Sequence, residues 1–298
     1  MSFTKACALV LDLAWFPLAA IATVYSAVVK SVDPVRPEVG HPAILLLHGS
    51  GGNHGTLAMG VHRLHKRFPN CVYTIQYDGI WKTDRTKSID QYVQVLKQKC
   101  LDIQRRTQQN QIYLVGHSLG GLIAARFAQS CAAEIHIEVP AVVTLGSPWR
   151  GSHLINKLWS PGQAWTSRHE DMRPDSPFVR SLNRNLPHHV TRFYCVGSLS
   201  DLLVPFEQAI PHGRSEDHKD NLCLNGIGHY TLIVYPMVWE HVEEVLNRHM
   251  PRPLSADAIE SEPLSADAIY PSLSPLLESV VLVTDNTPEL QLQPVLES

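Results

Sequence analysis

Residues 111–125 read Gln-Ile-Tyr-Leu-Val-Gly-His-Ser-Leu-Gly-Gly-Leu-Ile-Ala-Ala, two apolar runs joined by a glycine-rich turn. The first run favours a buried β-strand over 111–115, and the small apolar residues of 119–130 favour a helix. The turn is Gly-His-Ser-Leu-Gly over 116–120. A turn of this kind between a strand and a helix holds its serine in a strained backbone conformation with the hydroxyl above the sheet. We therefore predict that Ser118 is a nucleophile.

The rest of the central region, residues 40–250, alternates between strand-like and helix-like patterns. Short apolar or alternating runs predict further strands, and longer patterns predict helices. The strands are expected at 43–47, 71–77, 141–145, 192–196 and 222–224, and the helices at 89–107 and 230–249. This order favours the α/β class, with a mostly parallel central sheet and helices on both of its faces.

A serine nucleophile needs a general base and an acid that orients this base. The strand at 192–196 runs through Gly197 into Ser-Leu-Ser-Asp at 198–201, which places Asp201 just beyond the carboxyl end of the strand. We predict Asp201 as the acid. Asp175, Asp217 and Asp220 are the alternatives, but Asp175 lies in a proline-rich stretch and the other two lie in a charged loop.

The base is expected late in the chain, on a loop that follows a strand. His229 fits this expectation, because it ends the loop Gly-Ile-Gly-His between the strand at 222–224 and the final helix. The two glycines give this loop the freedom to turn the imidazole inward. His212 and His218 are alternatives without a strand, loop and helix around them. We predict His229 as the base.

Hydrolysis through an acyl-enzyme also needs two N–H donors for the oxyanion of the tetrahedral intermediate. The N–H of Leu119, directly after the nucleophile, is the first expected donor. The second should come from the loop after an earlier strand. The stretch Leu-His-Gly-Ser-Gly-Gly at 47–52 fits, with Ser50 as the predicted donor and Gly49 as the alternative.

Three segments of the chain resemble the lipases and esterases of the α/β-hydrolase superfamily. Residues 48–52 resemble the oxyanion loop of these enzymes, and residues 116–121, Gly-His-Ser-Leu-Gly-Gly, resemble the turn that carries their nucleophile. Residues 144–152 are similar to a Gly-Thr-Pro-His-x-Gly-Ser segment of many triacylglycerol lipases, except that Trp149 stands where histidine is usual. Asp201 and His229 match the acid and the base.

The resemblance implies an α/β-hydrolase fold with a small lid at about 150–187. It implies hydrolysis of carboxylic esters through an acyl-enzyme on Ser118. Lipid esters are the favoured substrates, which implies a role in lipid metabolism. No cofactor and no metal are expected. Two alternatives remain open: acyl transfer with the same three residues, and a catalytically silent binding protein that keeps the fold.

The N-terminal segment, residues 1–30, is apolar. From 6 to 29 its only charge is Asp12, and this length is sufficient to cross a hydrocarbon core of about 30 Å. A membrane anchor, a signal peptide and an apolar helix packed on the domain are all open, and Asp12 and Pro17 weaken the first two. We expect membrane association or export rather than a cytoplasmic location.

The C-terminal segment, residues 251–298, differs from the rest of the chain. It has one basic residue against eight acidic ones, and the sequence Pro-Leu-Ser-Ala-Asp-Ala-Ile occurs at 253–259 and again at 263–269. We predict an acidic, mostly disordered tail.

The whole chain has a net charge of −3, which gives no indication of a nucleic-acid partner. The six cysteines are scattered and are expected to be single buried thiols.

Overall fold

The computed structural model describes residues 4–6, 12, 33–77, 87–154, 167–184, 186, 190–212 and 220–250. The predicted acidic tail at 251–298 lies outside the described residues. Most of the N-terminal apolar segment also lies outside them, as do Asp217 and His218.

The described residues contain one six-stranded parallel sheet. Its order is β2-β1-β3-β4-β5-β6. The strands are β1 (Ala43–Leu47), β2 (Val72–Ile75), β3 (Ile112–His117), β4 (Ala141–Leu145), β5 (Arg192–Ser198) and β6 (Leu222–Leu224). The predicted parallel sheet is confirmed, and β1, β4 and β6 have the predicted bounds.

Helices follow most of the strands, as expected for strands that run parallel. They are α1 (Ala58–Arg67), α2 (Ile89–Thr107), α3 (Leu119–Ser130), α4 (Ser167–Asp171), α5 (Pro177–Arg184), α6 (Phe206–Ala209) and α7 (Pro236–His249). Within the described ranges, short 3₁₀ helices lie at His54–Leu57, Ala133–Ile135 and Thr231–Ile233.

The final helix begins later than the sequence pattern predicts. The prediction began it at residue 230, whereas α7 begins at Pro236. Proline has no N–H to donate and disfavours helical backbone at the residue before it, so it is tolerated in the first turn of a helix. The residues just before it form the separate 3₁₀ helix Thr231–Ile233.

Alternate residues of the central strands face two separate hydrophobic cores. In β1, Ile44 and Leu46 pack with side chains of α1 and α7. Leu45 and Leu47 point to the opposite face and pack with side chains of α2 and α3. Because the strands are parallel, their carboxyl ends meet at one edge of the sheet, where ligands bind in open α/β folds.

The described part of the predicted lid, about 150–187, packs on the domain. Phe178 and Leu182 of α5 are buried in the core on the α3 side. The Gln129 side chain in α3 donates a hydrogen bond to the Leu182 carbonyl at 3.0 Å. Residues 155–166 lie outside the described residues, so the lid stays a prediction.

Two further expectations concern membranes and cysteines. Over the described ranges, no helix is both long and apolar enough to cross a membrane, and the stretch 6–29 contributes only Ala6 and Asp12 to these ranges.

The five cysteines within the described residues are all free thiols. Burial raises the pKa of Cys71 and Cys195 to about 12, which agrees with single buried thiols.

Candidate active site

The backbone of Ser118 has φ +52° and ψ −121° between β3 and α3. A positive φ is rare outside glycine, and such strain costs about 1–3 kcal/mol and persists only where the surroundings enforce it. Here the Ser118 N–H donates to the Leu145 carbonyl of β4 at 2.9 Å. The predicted strained serine between strand and helix is therefore present.

The glycines around Ser118 allow β3, α3 and β1 to approach closely. A methyl group on Gly116 would lie 2.4 Å from the Gly121 nitrogen, and one on Gly120 would lie 2.4 Å from the Leu47 carbonyl oxygen. Both contacts are with backbone, which does not move aside as a flexible side chain does. Glycine at these two positions is therefore required by space.

Asp201 and His229 form a buried pair. The His229 Nδ1 lies 2.7 Å from Asp201 Oδ2, and the two residues are 2% and 1% exposed. The second oxygen, Asp201 Oδ1, accepts from the N–H groups of Leu203 and Val204, each at 2.8 Å. This carboxylate is therefore fixed in orientation, and Nδ1 carries the proton that it accepts. The other ring nitrogen, Nε2, is then the unprotonated one.

The imidazole of His229 lies beside the turn that carries Ser118. Its ring centroid is 4.8 Å from that of His117, and His117 Nε2 donates to the His229 carbonyl at 3.1 Å. A methyl group on Gly146 would lie 3.3 Å from His229 Cε1. Gly146 follows Leu145, which accepts the Ser118 N–H. The structure thus pairs Asp201 with His229 and places His229 beside His117, the residue before Ser118.

The electrostatics of these histidines differ. Burial opposes protonation of His229, but the Asp201 charge, the Asp201 hydrogen bond and the Asp12 charge together raise the pKa of His229 above its usual value. For His117, burial and the charge of His229 lower the pKa well below its usual value. His117 is therefore neutral, which matches its role as an Nε2–H donor.

The predicted oxyanion loop lies against the nucleophile. A methyl group on Gly49 would lie 3.0 Å from Ser118 Cβ, so this glycine borders the serine directly. Ser50 follows it, and its buried hydroxyl has no hydrogen-bond partner. Leu119 is the first residue of α3, so its N–H has no acceptor within the helix. Leu119 and Ser50 remain the predicted donors, with Gly49 as the alternative.

Asp12 is a feature of the site that the sequence analysis did not identify. Its carboxylate accepts hydrogen bonds from the backbone N–H groups of His229, Tyr230 and Thr231. In the sequence Asp12 is only a lone charge in an apolar stretch, and no local pattern connects it to a loop 217 residues away.

The alternative acid and base candidates lie in other settings. Asp175 occupies a turn with φ +60°, and Asp220 forms an ion pair with Arg248. The His212 N–H donates to the Asn183 side chain. Within the described residues, no group of three or more His, Cys, Asp or Glu side chains is arranged to hold a metal ion.

Trp149, which departs from the lipase-like segment, is a core residue. It is fully buried, its indole N–H donates to the Thr144 hydroxyl at 3.0 Å, and its ring packs edge-on against Phe193. We therefore assign Trp149 to packing beneath the site.

The parallel sheet with a strained serine after β3 defines an α/β-hydrolase fold. The model of the palmitoyl protein thioesterase family matches residues 43–193, which is just over half of the chain. The chain belongs to this family. No curated protein sequence matches the chain significantly.

Solved structures confirm the fold. The mature lipase BlEst2 of Bacillus licheniformis superposes with a TM-score of 0.52 at 17% identity, over 73% of this chain and 96% of that one. Lipase B of Aspergillus fumigatus superposes with a TM-score of 0.57 at 13% identity, over 92% of this chain and 70% of that one. A structure described as a putative hydrolase from Agrobacterium vitis superposes with a TM-score of 0.52 at 17% identity, over 72% of this chain and 90% of that one.

The family and the fold together confirm the predicted resemblance to lipases and esterases, and they make this chain a hydrolase of the ester-cleaving type. The family match includes Ser118 but ends before Asp201 and His229. The pairing of these two residues therefore comes from the structure alone.

Proposed function

We propose that this protein is a serine hydrolase that removes fatty-acyl groups from lipid-type esters and thioesters through an acyl-enzyme on Ser118. The observation that carries the proposal is the buried 2.7 Å contact between Asp201 and His229, whose ring lies against His117, the residue before a serine with positive φ. A buried carboxylate and imidazole pair beside a strained serine is what activation of a hydroxyl requires.

In the first half of the reaction, the Ser118 oxygen attacks the acyl carbonyl carbon and His229 Nε2 takes the hydroxyl proton. Asp201 stabilises the imidazolium that results. The N–H of Leu119 and a donor from the 48–52 loop face the negative oxygen of the tetrahedral intermediate. The bond to the leaving oxygen or sulfur then breaks, and His229 returns the proton to that atom. The acyl group is left on Ser118.

In the second half, water replaces the leaving group. His229 removes a proton from the water as the hydroxide attacks the acyl carbon. The bond to Ser118 then breaks, and the serine oxygen takes the proton back from the imidazolium. The products are a free carboxylic acid and the resting enzyme, so the cycle needs no cofactor.

The family supports the thioester part of the proposal, because its name describes enzymes that act on palmitoyl thioesters of proteins. The lipase neighbours share the fold only, and the same acyl-enzyme chemistry serves oxygen esters. Attack at the acyl carbon is common to both substrates, and only the leaving atom differs. Long acyl chains are the expected preference in both series.

Hydrolysis of two matched series tests the proposal. Acyl chains of increasing length are offered as p-nitrophenyl esters and as S-acyl thioesters, to the full chain and to Ser118→Ala. We expect turnover that rises towards long chains and disappears in Ser118→Ala. Turnover that survives in Ser118→Ala contradicts the proposed nucleophile. Turnover confined to acetyl substrates contradicts the fatty-acyl preference.

An alcohol acceptor separates hydrolysis from acyl transfer. Both reactions pass through the same acyl-enzyme, but they differ in the group that attacks it. If added glycerol leaves the yield of free fatty acid unchanged, hydrolysis stands. If the acyl group appears mainly on glycerol, the protein is a transferase.

A further inference from the structure

Asp12 makes a dense set of contacts with the loop that carries His229. Its Oδ2 accepts the His229 N–H at 2.8 Å, and its Oδ1 accepts the N–H groups of Tyr230 and Thr231, each at 3.0 Å. Oδ1 also accepts the Thr231 hydroxyl at 2.9 Å. One carboxylate thus satisfies four donors, three of which are consecutive backbone N–H groups.

We propose that Asp12 is a positioning residue, which fixes the backbone of residues 229–231 and so holds the His229 imidazole in place for its reaction with Ser118. The proposal rests on the proposed function, because it assigns Asp12 a part in the same reaction. Asp12 acts through His229, since its contacts are with this loop and the chemistry occurs at Ser118.

The peptide groups around His229 are held at both ends. Asp12 accepts the N–H of His229, and His117 donates to its carbonyl oxygen. With the backbone fixed and Nδ1 held by Asp201, little freedom remains for the ring to turn. A catalytic base needs this restriction, because small displacements of reacting groups cost large factors in rate.

Gly228 makes this approach of Asp12 possible. A methyl group on Gly228 would lie 2.3 Å from Asp12 Oδ2, which is well inside contact distance. Freedom of the loop alone would account for both glycines before His229. The structure gives Gly228 a more specific reason, because any larger residue would displace the carboxylate.

Charge gives the contact a second effect. Burial raises the pKa of Asp12, while the hydrogen bonds from Thr231 favour its charged form. The titratable groups that face His229 are Asp201, Asp12, His117 and Tyr230. The charge of Asp12, like that of Asp201, favours the protonated imidazole that forms during catalysis.

The contact also bears on the N-terminal segment. Within residues 1–30, Asp12 contacts the domain through residues 229–231, and the three expectations for this segment stay predictions. The one charge of this apolar stretch thus has hydrogen-bond partners in the domain.

Asp12→Asn tests the proposal in the full chain. Asparagine keeps the shape but loses the charge and turns an N–H group towards the donors of the loop. We expect kcat to fall by about tenfold to a hundredfold while KM stays within about twofold. The acid limb of the kcat/KM profile should move to lower pH, because a charge that favours protonated His229 is lost.

Asp171→Asn is the matched control. Asp171 is also partly buried, and its Oδ2 also accepts a backbone N–H, that of Ile89 at 2.9 Å, but Asp171 is the last residue of α4 and its partner Ile89 is the first residue of α2. We expect Asp171→Asn to lose as much free energy of unfolding as Asp12→Asn, with no change in the pH profile of kcat/KM. If folded Asp12→Asn matches Asp171→Asn in both kcat and pH profile, the proposal is overturned.

A second pair covers the case in which Asp12→Asn does not fold. Thr231→Val removes the hydroxyl donor to Asp12, and Thr231→Ser keeps it. A lower kcat in Thr231→Val than in Thr231→Ser supports the proposal, and equal values overturn it. If the wild-type chain shows no turnover that depends on Ser118, the proposed function fails as well. If it does show such turnover, a negative result for Asp12 concerns this inference alone.

Discussion

Replacing Asp201 by asparagine changes the proton position on His229 with little change of shape. Asp201 Oδ1 accepts two backbone N–H groups, from Leu203 and Val204. The carbonyl oxygen of an asparagine would take this place, so its NH₂ group would face His229 Nδ1. Nδ1 would then have to accept a hydrogen bond, which moves the imidazole proton to Nε2. The base would hold a proton at the atom that has to accept one.

The size of the effect follows from the burial of the pair. Asp201 and His229 are 1% and 2% exposed, so solvent does not replace the lost contact. In serine proteases the same substitution lowers kcat by about 10⁴-fold. This factor corresponds to about 5 kcal/mol in the activation barrier. We therefore expect Asp201→Asn to lose between about 10³-fold and 10⁴-fold in kcat.

The assay is ester hydrolysis by wild type, Asp201→Asn and Asp175→Asn, with circular dichroism to verify folding. Asp175 is the control, because the sequence offered it as an alternative acid and its φ of +60° is one that asparagine tolerates. Asp175→Asn should remain within about twofold of wild type. A folded Asp201→Asn within about tenfold of wild type, or an equal loss in Asp175→Asn, would refute the assignment.

Three further predictions concern pH and packing. The acid limb of kcat/KM should have its midpoint above about 6.5, the ordinary imidazole value, because Asp201 and Asp12 raise the pKa of His229; a midpoint below this value contradicts it. Trp149→Phe should lower the free energy of unfolding in urea by about 1–3 kcal/mol, because the Thr144 hydroxyl loses its donor. Its kcat/KM should change by less than about threefold, and a larger loss would place Trp149 in the site. Burial lowers the pKa of His48 to about 4, so the folded chain binds a proton there less readily than the unfolded chain. The free energy of unfolding should therefore fall by up to about 3 kcal/mol as the pH is lowered from about 6.5 to 4. In urea unfolding, the free energy of unfolding of His48→Gln should fall less over this pH range than that of wild type. The same pH dependence in both proteins would contradict the lowered pKa of His48.

The elements with the clearest local signals could be predicted from the sequence. The strand Ala141–Leu145 is a short apolar run with glycine or proline at its borders, and α3 is a run of small and apolar residues after the turn at Ser118. Their bounds in the structure are the predicted ones. The order of serine, acid and histidine along the chain was sufficient to select Asp201 and His229, because each follows a strand of the same parallel sheet.

Features that depend on distant contacts could not be predicted. Asp12 and His229 are 217 residues apart, and no periodicity links them. The glycine at 228 was visible, but its reason, the approach of a carboxylate from the other end of the chain, was not. Trp149 was visible only as a departure from a family motif. Its burial and its bond to Thr144 required the packed structure.

Covalent labelling tests the identity of Ser118 as the nucleophile most directly. The full chain and Ser118→Ala are treated with a fluorophosphonate, digested and analysed by mass spectrometry. We expect one adduct per chain in wild type, on the peptide that contains Ser118, and none in Ser118→Ala. An unlabelled wild-type protein, or equal labelling of both proteins, would contradict it.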